Sequence, residues 1–190
     1  MASEVSICNR ALRVLGVQPI SALGEDSKAG AWAQQTYADA RDALLAEYPW
    51  NFAIKREALA ASVSEPVWGY AYLYALPADC LRVLAVEGEP ESYTDPYKIE
   101  GRSIATDAAA PLNIRYIARV TDPAQFFPLF VEALAARLAA EGAFHFTGST
   151  AREAQLAERY RELVANARRY DAQEGTAEGL VASDWLDARP

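Results

Sequence analysis

The chain has 190 residues, of which 52% are hydrophobic and 23% charged, so it is long enough to bury the core of one domain. Its formal net charge of -8 argues against broad electrostatic attraction to a phosphate backbone, although DNA could still pass along an acidic wall. The first residues carry no basic and apolar signal sequence, and no apolar run reaches the roughly 20 residues of a membrane span. We therefore expect a chain that is made in the cytoplasm and has no membrane anchor.

Two helices are predicted in the first quarter of the chain. Ser3 is expected to cap the first helix, and Gly16 to end it as the glycine that follows a last turn. Asp26 or Ser27 caps the second helix, and Pro49 ends it because proline disfavours helical geometry in the residue before it. The apolar face of the second helix repeats at helical spacing through Ala33, Tyr37, Ala40 and Leu44.

The middle of the chain, residues 50–121, alternates with period two and is interpreted as an inserted antiparallel β-module. A first strand is predicted to share one face among Tyr70, Tyr72 and Tyr74. A second, from Leu81 to Val86, is buried on much of both faces, with Leu81 and Val83 on the same side. Gly101 is expected at the first central position of a type II′ hairpin turn. A last strand is predicted over residues 113–120.

Two further helices are predicted between residues 123 and 171. Asp122 caps this segment and Pro123 opens it, while Pro128 leaves two alternatives, a short turn followed by a helix or one kinked helix. Gly148 and Ser149 separate the two helices. The last helix has a predicted apolar stripe made of Leu156, Tyr160, Leu163, Ala167 and Tyr170.

These elements predict an α+β fold, mainly a helical bundle formed by the N- and C-terminal helices, with the β-module inserted between them. A single domain is expected over residues 1–172, in which helices occupy 3–48 and 123–171. Residues 173–190 lose helical periodicity and are interpreted as a flexible C-terminal tail.

The motif search favours a protein without catalysis. Nucleophile, metal and phosphate-loop signatures are absent from the sequence, so no catalytic residue, cofactor site or metal site is predicted. His145 is the one histidine, and we interpret it as a hydrogen-bonded, half-buried residue rather than a general base. Cys8 and Cys80 are interpreted as buried thiols in a reducing compartment, with a disulfide between them as the weaker alternative.

Two groups of residues are candidate contacts with DNA or an acidic partner. The three tyrosines could stack on bases, or simply pack across a sheet as good strand formers. Arg115 and Arg119 share a strand face, and Lys55 and Arg56 lie at the edge of the module. Each of these cations could contact a partner, or be a solvated strand position paired with a nearby carboxylate.

The tail supplies the third candidate interface. Trp185, followed by Leu186, lies in a glycine-containing acidic segment, where a large aromatic side chain is costly to leave in water. Trp185 therefore either folds back on its own subunit or docks on a neighbour, and the sequence favours the neighbour because no long apolar pattern precedes it.

Short peptides spread over nearly the whole chain resemble the tail tubular protein A family, the head-to-tail adaptor or gatekeeper of short-tailed bacteriophages. Each peptide alone is weakly specific, and their shared order carries the resemblance. The peptides are Asn9–Leu12, Arg41–Leu45, Pro49–Ala53, Lys55–Arg56, Tyr74–Arg82, Ile114–Ile117, Thr121–Pro123, Gly148–Ser149 and Asp171–Gly175.

The resemblance implies a structural virion protein of the phage tail. A member of this family assembles with itself as a ring, twelvefold in the family, between the portal protein and the tail nozzle protein. The ring helps to retain genomic DNA and lets it pass through the channel at ejection. The family has no catalytic residues that could be assigned to positions of this chain, and the resemblance implies no cofactor.

Two functions of other classes stay open. One is a prophage-encoded enzyme whose site no motif reveals, and the other is a helical scaffold that binds nucleic acid. A ring seen by native mass or imaging favours the adaptor, a monomer with a deep polar pocket favours the enzyme, and salt-sensitive DNA binding favours the scaffold.

Overall fold

The structure is a computed structural model that describes residues 2–64, 66–86 and 96–174. Within these residues, helices at both ends enclose a set of strands, which confirms the predicted α+β class. The elements are α1 (Glu4–Val14), α2 (Lys28–Glu47), β1 (Ile54–Leu59), β2 (Tyr72–Ala75), β3 (Cys80–Val86), β4 (Tyr97–Glu100), β5 (Ser103–Thr106), β6 (Leu112–Ala118), α3 (Pro128–Thr147) and α4 (Thr150–Asp171). None of the described helices combines the length and the apolar character needed to cross a membrane.

Serine side chains begin three of the four helices. Ser3 accepts a hydrogen bond from the Ser6 amide, and the Ser6 hydroxyl accepts one from the Ser3 amide, which makes a reciprocal capping box. Ser27, rather than Asp26, caps α2 by accepting from the Gly30 amide at 2.9 Å. Ser149 caps α4 in the same way. These caps satisfy amide groups that have no partner inside the helix.

Prolines set the remaining helix boundaries. The α2 helix ends at Glu47, with Tyr48 already in extended backbone before Pro49. Of the two alternatives at Pro128, the structure has the short turn: Pro123–Gln125 form one 3-10 turn, and α3 begins afterwards at Pro128.

The α3 helix lies at the centre of the helical bundle and contacts the other three helices. Its buried face is rich in alanine, which allows α4 to pack closely along it. Gly142 allows the same approach on the side of α1 and α2, because a Cβ atom there would lie 2.9 Å from the Trp32 ring and 3.1 Å from the Leu15 side chain. Small residues on one central helix therefore hold the bundle together.

The strands form two three-stranded antiparallel sheets within the described residues, with orders β1-β6-β3 and β2-β5-β4. The hairpin from β4 to β5 turns where the sequence predicts it, at Gly101, whose φ is 59°. The turn is of type II′ because, like every non-glycine residue that the structure describes, Arg102 has no positive φ. The last strand ends at Ala118, two residues before its predicted end.

Bulges in β3 change which of its side chains share a face. The pairing of β3 with β6 shifts register between Cys80 and Arg82 and again between Val83 and Ala85. As a result Leu81 and Leu84 both pack against the helical core, while Val83 packs against the second core. The predicted strict alternation of Leu81 with Leu84 is wrong here, because each extra residue in a bulge reverses the side that follows it.

Two hydrophobic cores share the strand β6. Ile117 belongs to the core that the helices form, whereas Ile114 and Tyr116 belong to a second core between the sheets. Trp50 secures the junction: it is fully buried, its indole N–H donates to the Leu44 carbonyl at 2.9 Å, and its ring lies edge-on to Phe130. The β-module is thus packed onto the bundle rather than joined by a linker alone.

Candidate interaction surfaces

Arg119, one of the cations singled out from the sequence, is paired with a carboxylate. Its Nε lies 2.6 Å from Oδ2 of Asp42, which also receives Arg41 Nη2 at 2.7 Å on its other oxygen. The Arg119 side chain is 43% exposed. The alternative of a strand-end residue paired with a nearby carboxylate therefore describes Arg119, and the pair ties the end of β6 to α2.

Arg115 lies inside the first sheet, where it is half-buried and stands opposite Arg56 of β1. Four residues later Arg119 follows just beyond the end of β6. The two arginines thus have different surroundings. The tail candidates Trp185 and Leu186 lie outside the described residues.

The three predicted strand tyrosines do not form a stacking platform. Tyr70 precedes β2, Tyr72 is 38% exposed, and Tyr74 is fully buried with its hydroxyl donating to the Ala108 carbonyl at 2.7 Å. Tyr72 and Tyr74 do share one face of β2, with ring centroids 6.4 Å apart, but Tyr70 lies outside the strand and Tyr74 is buried in the second core. Of the two alternatives, Tyr74 follows the second: it packs within the sheet as a strand-forming residue.

Lys55 belongs to a polar cluster around a buried phenol. Its Nζ donates to Asp79 Oδ2 at 2.7 Å, and the Tyr116 hydroxyl lies 3.1 Å from Asp79 Oδ1 and 3.2 Å from Glu57 Oε2. Burial, together with these two carboxylates, raises the pKa of Tyr116, whereas the hydrogen bond from Lys55 lowers the pKa of Asp79. The protonated phenol, whose one O–H lies between the two carboxylates, links β6 to Glu57 of β1.

His145 is exposed, so the prediction that it is half-buried is wrong. It lies in the last turn of α3, edge-on to Phe146 with ring centroids 4.7 Å apart. Both cysteines are buried free thiols, as predicted, and burial raises the pKa of Cys8 to about 12. No group of three metal-ligating side chains occurs in the described residues.

A groove with a cationic rim runs between α1, α3 and α4, and we call it the arginine groove. It has a volume of about 390 Å³ and is open to solvent. Arg10, Arg13 and Arg159 form its rim together with a single carboxylate, Glu132. Its apolar lining consists of Val14, Ala135, Ala136, Ala139, Leu156 and Leu163.

The three rim arginines are exposed, and no hydrogen bond or ion pair holds them within residues 2–64, 66–86 and 96–174. A positively charged groove stands out on a chain whose net charge is -8. From the sequence, Arg159 could only be placed on a charged helix face, and Arg10 and Arg13 carried no signal beyond their spacing of three on one helix. Packing of α1 against α3 brings them beside Arg159.

The loop between β1 and β2 presents apolar side chains to solvent. Trp68 is 85% exposed and Val67 is 98% exposed, and Val63 is fully exposed as well. Large apolar side chains grouped on one loop are typical of a surface that a partner covers. No periodic pattern in the sequence marks this loop, because it lies between two strands.

The arginine groove and the β1–β2 loop are therefore the two candidate interaction surfaces of the described residues. Both are places where side chains could bind another surface, and neither arranges a nucleophile beside a base. In comparisons with models of known protein families and with curated proteins, the chain matches none.

Proposed function

We propose that this protein is a structural virion component, a head-to-tail adaptor of a short-tailed phage that assembles with itself as a ring between the portal protein and the tail nozzle protein. In that role it helps to retain genomic DNA and to let it pass. The proposal rests on the resemblance of its ordered peptides to the tail tubular protein A family. It is supported by the helical bundle with an inserted β-module that the resemblance implies.

The observation that carries the proposal is the exposed apolar tip of the β1–β2 loop. Leaving Trp68 and Val67 in water forgoes the free energy that burying them against a partner provides, about 1.5–3 kcal/mol for a fully buried large side chain. An adaptor needs several such surfaces because each copy contacts two neighbours as well as the proteins above and below. The arginine groove is a second surface, built from different elements.

Native mass spectrometry and negative-stain imaging of the full chain, alone and mixed with its cognate portal protein, test the proposal. We expect rings, either of the chain alone or on the portal. A chain that stays monomeric in both mixtures contradicts the adaptor. Turnover of a small molecule by that monomer, abolished by one substitution in a polar pocket, then favours the enzyme.

The variant Trp68→Ser sharpens this test. We expect its thermal midpoint to match that of the wild type, because Trp68 buries little in the isolated chain, while assembly weakens about tenfold or more, as for a tryptophan at the centre of an interface. Phe144→Ser is the matched control, since Phe144 is 54% exposed on a different element, α3. Equal loss of assembly in both variants means that the loop is not a specific contact.

A helical scaffold that binds nucleic acid is the second candidate, because three arginines without a partner among the described residues line one groove. Binding to a DNA duplex that weakens steeply with salt, and that is lost in Arg10→Glu/Arg159→Glu, favours this function. The net charge of -8 and the apolar lining of the groove speak against it.

A further inference from the structure

The arginine groove has the chemistry to bind an apolar peptide segment that carries carboxylates. Its lining is aliphatic, and its rim has three guanidinium groups against one carboxylate. A nucleic acid would leave the aliphatic lining uncovered, whereas large apolar side chains would fill it. The complementary ligand therefore has adjacent apolar residues with an acidic residue on either side.

The chain itself contains such a segment in its C-terminal region. Residues 184–187 read Asp-Trp-Leu-Asp, which places Trp185 and Leu186 between Asp184 and Asp187. We propose that this segment docks in the arginine groove of its own chain, with Trp185 and Leu186 against the aliphatic lining and the two aspartates beside the rim arginines.

The length of the intervening chain fits docking on the same molecule. From Asp171, the last residue of α4, the groove residue Leu163 is about 12 Å back along the helix and Leu156 about 22 Å, at 1.5 Å per residue. Residues 175–183 include Gly175 and Gly179, and a glycine-containing linker of nine residues that behaves as a random coil spans about 15–18 Å on average. The mean reach matches the distance to be bridged.

The face of α4 between its end and the groove offers a continuous path. Leu163 lines the groove, and Tyr170 lies two turns further on the same face, where it is 49% exposed and stacks on Phe127. When a linker's mean length matches the span, the local concentration of the tethered segment is in the millimolar range. An equivalent segment on a second copy reaches that concentration only in a concentrated solution, so the segment of the same chain is the occupant that we infer.

Tryptophan fluorescence measures the docking directly. The chain has four tryptophans, of which Trp32 and Trp50 are buried, so Trp68→Phe leaves Trp185 as the one to be tested for access. In this background we expect Trp185 to be protected from acrylamide quenching. The protection should not change over about a hundredfold range of protein concentration, because the contact is intramolecular.

Charge reversal tests the partners. Arg10→Glu/Arg159→Glu should expose Trp185 to quenching, and adding Asp184→Lys/Asp187→Lys should restore its protection. The matched control is Arg161→Glu/Arg169→Glu, which changes the net charge equally at exposed positions of α4 that do not line the groove. A peptide of residues 175–190 should bind the chain truncated after Glu174, and the groove variant should weaken that binding about tenfold, the effect of losing a few exposed ion pairs and gaining repulsion.

Three results would overturn this inference. The first is full accessibility of Trp185 to acrylamide in the Trp68→Phe protein, in which the arginine groove is unchanged. The second is protection that appears only at concentrations where the chain self-associates, which assigns the segment to a neighbour. The third is DNA binding through the rim arginines that leaves Trp185 quenching unchanged. None of the three needs the portal protein, and the first is measured at concentrations below self-association, so failure of this inference can be told apart from failure of the ring proposal.

Discussion

At the scale of single residues, Asp171 is the one acidic side chain among the described residues that is buried, with 2% of its surface exposed. Both of its carboxylate oxygens accept from the backbone N–H of Asn51, at 3.1 and 3.2 Å. The Asn51 side-chain amide in turn donates to the backbone carbonyl of Asp171 at 2.6 Å. The pair fastens the end of α4 to the start of the β-module. Burial raises the pKa of Asp171 against the opposing effect of the Asn51 hydrogen bond, so its ionised form is costly in the folded chain.

This raised pKa gives a pH dependence whose sign can be tested. In Asp171→Asn the amide oxygen can still accept from Asn51 without a buried charge. A carboxyl whose pKa is higher in the folded state than in the unfolded state penalises folding at neutral pH, and the penalty fades as pH falls through the folded pKa. We therefore expect the wild type to gain stability relative to Asp171→Asn as pH falls from 7 towards the ordinary carboxyl pKa of 3.8, measured by urea unfolding. A stability difference that stays constant over this range contradicts the prediction.

Asp171→Ala separates the hydrogen bond from the charge. It leaves the Asn51 amide without its acceptor, so we expect a loss of about 1–2 kcal/mol at neutral pH relative to Asp171→Asn. Thermal and urea unfolding of the two variants under the same conditions measure the difference. Equal stabilities of Asp171→Ala and Asp171→Asn would mean that water replaces the lost side-chain acceptor at no cost.

At the scale of elements, helix α3 packs closely because of Gly142. A Cβ atom at this position meets the Trp32 ring at 2.9 Å, so we expect Gly142→Ala to lower the free energy of unfolding by about 1–3 kcal/mol despite alanine's higher helix propensity. The double variant Gly142→Ala/Trp32→Leu should recover part of the loss, because a smaller side chain leaves room for the methyl group. A double-mutant cycle in urea measures this coupling. Additive effects would show that the two residues do not compete for space.

Polar contacts also link the helices, through Glu47 of α2. Its two carboxylate oxygens accept from Arg168 at 2.6 Å and from the Tyr160 hydroxyl at 2.8 Å, and Arg137 of α3 lies 3.7 Å away. Burial, with the hydrogen bond to Glu47, raises the pKa of Tyr160 to about 12, so the phenol remains a donor over the whole physiological range. One carboxylate of α2 thus contacts side chains of both α3 and α4.

The elements that the sequence predicts well are those that neighbouring residues determine. The cap at Ser3 and the turn at Gly101 depend on local backbone geometry, and the structure confirms them. The side on which Leu84 packs, the exposure of His145 and the burial of Tyr74 depend on which distant elements cover each residue. The arginine groove could not be predicted for the same reason, because Arg10 and Arg159 are brought together only by the packing of the bundle.

At the scale of the whole molecule, the question is whether the helical core and the core between the sheets unfold together. The strand β6 contributes Ile117 to the helical core and Ile114 to the core between the sheets, and β3 contributes to both as well. Because opposite faces of the same strands fill the two cores, loss of one core leaves those strands with half of their packing. We infer that the described chain unfolds as one cooperative unit.

Ile117→Ala and Ile104→Ala test this cooperativity. Both side chains are fully buried, Ile117 in the helical core and Ile104 in β5 of the second core, so each truncation should cost about 2–5 kcal/mol. If the cores are coupled, Ile104→Ala lowers the midpoint of the helical circular dichroism signal as much as Ile117→Ala does, although β5 contacts no helix closely. In both variants, hydrogen exchange of the β2–β5 amides should become faster to the same extent as that of the α3 amides. An Ile104→Ala variant that loses protection in β5 while the helical midpoint stays fixed would separate the two cores, because the faces of β6 would then hold their packing independently.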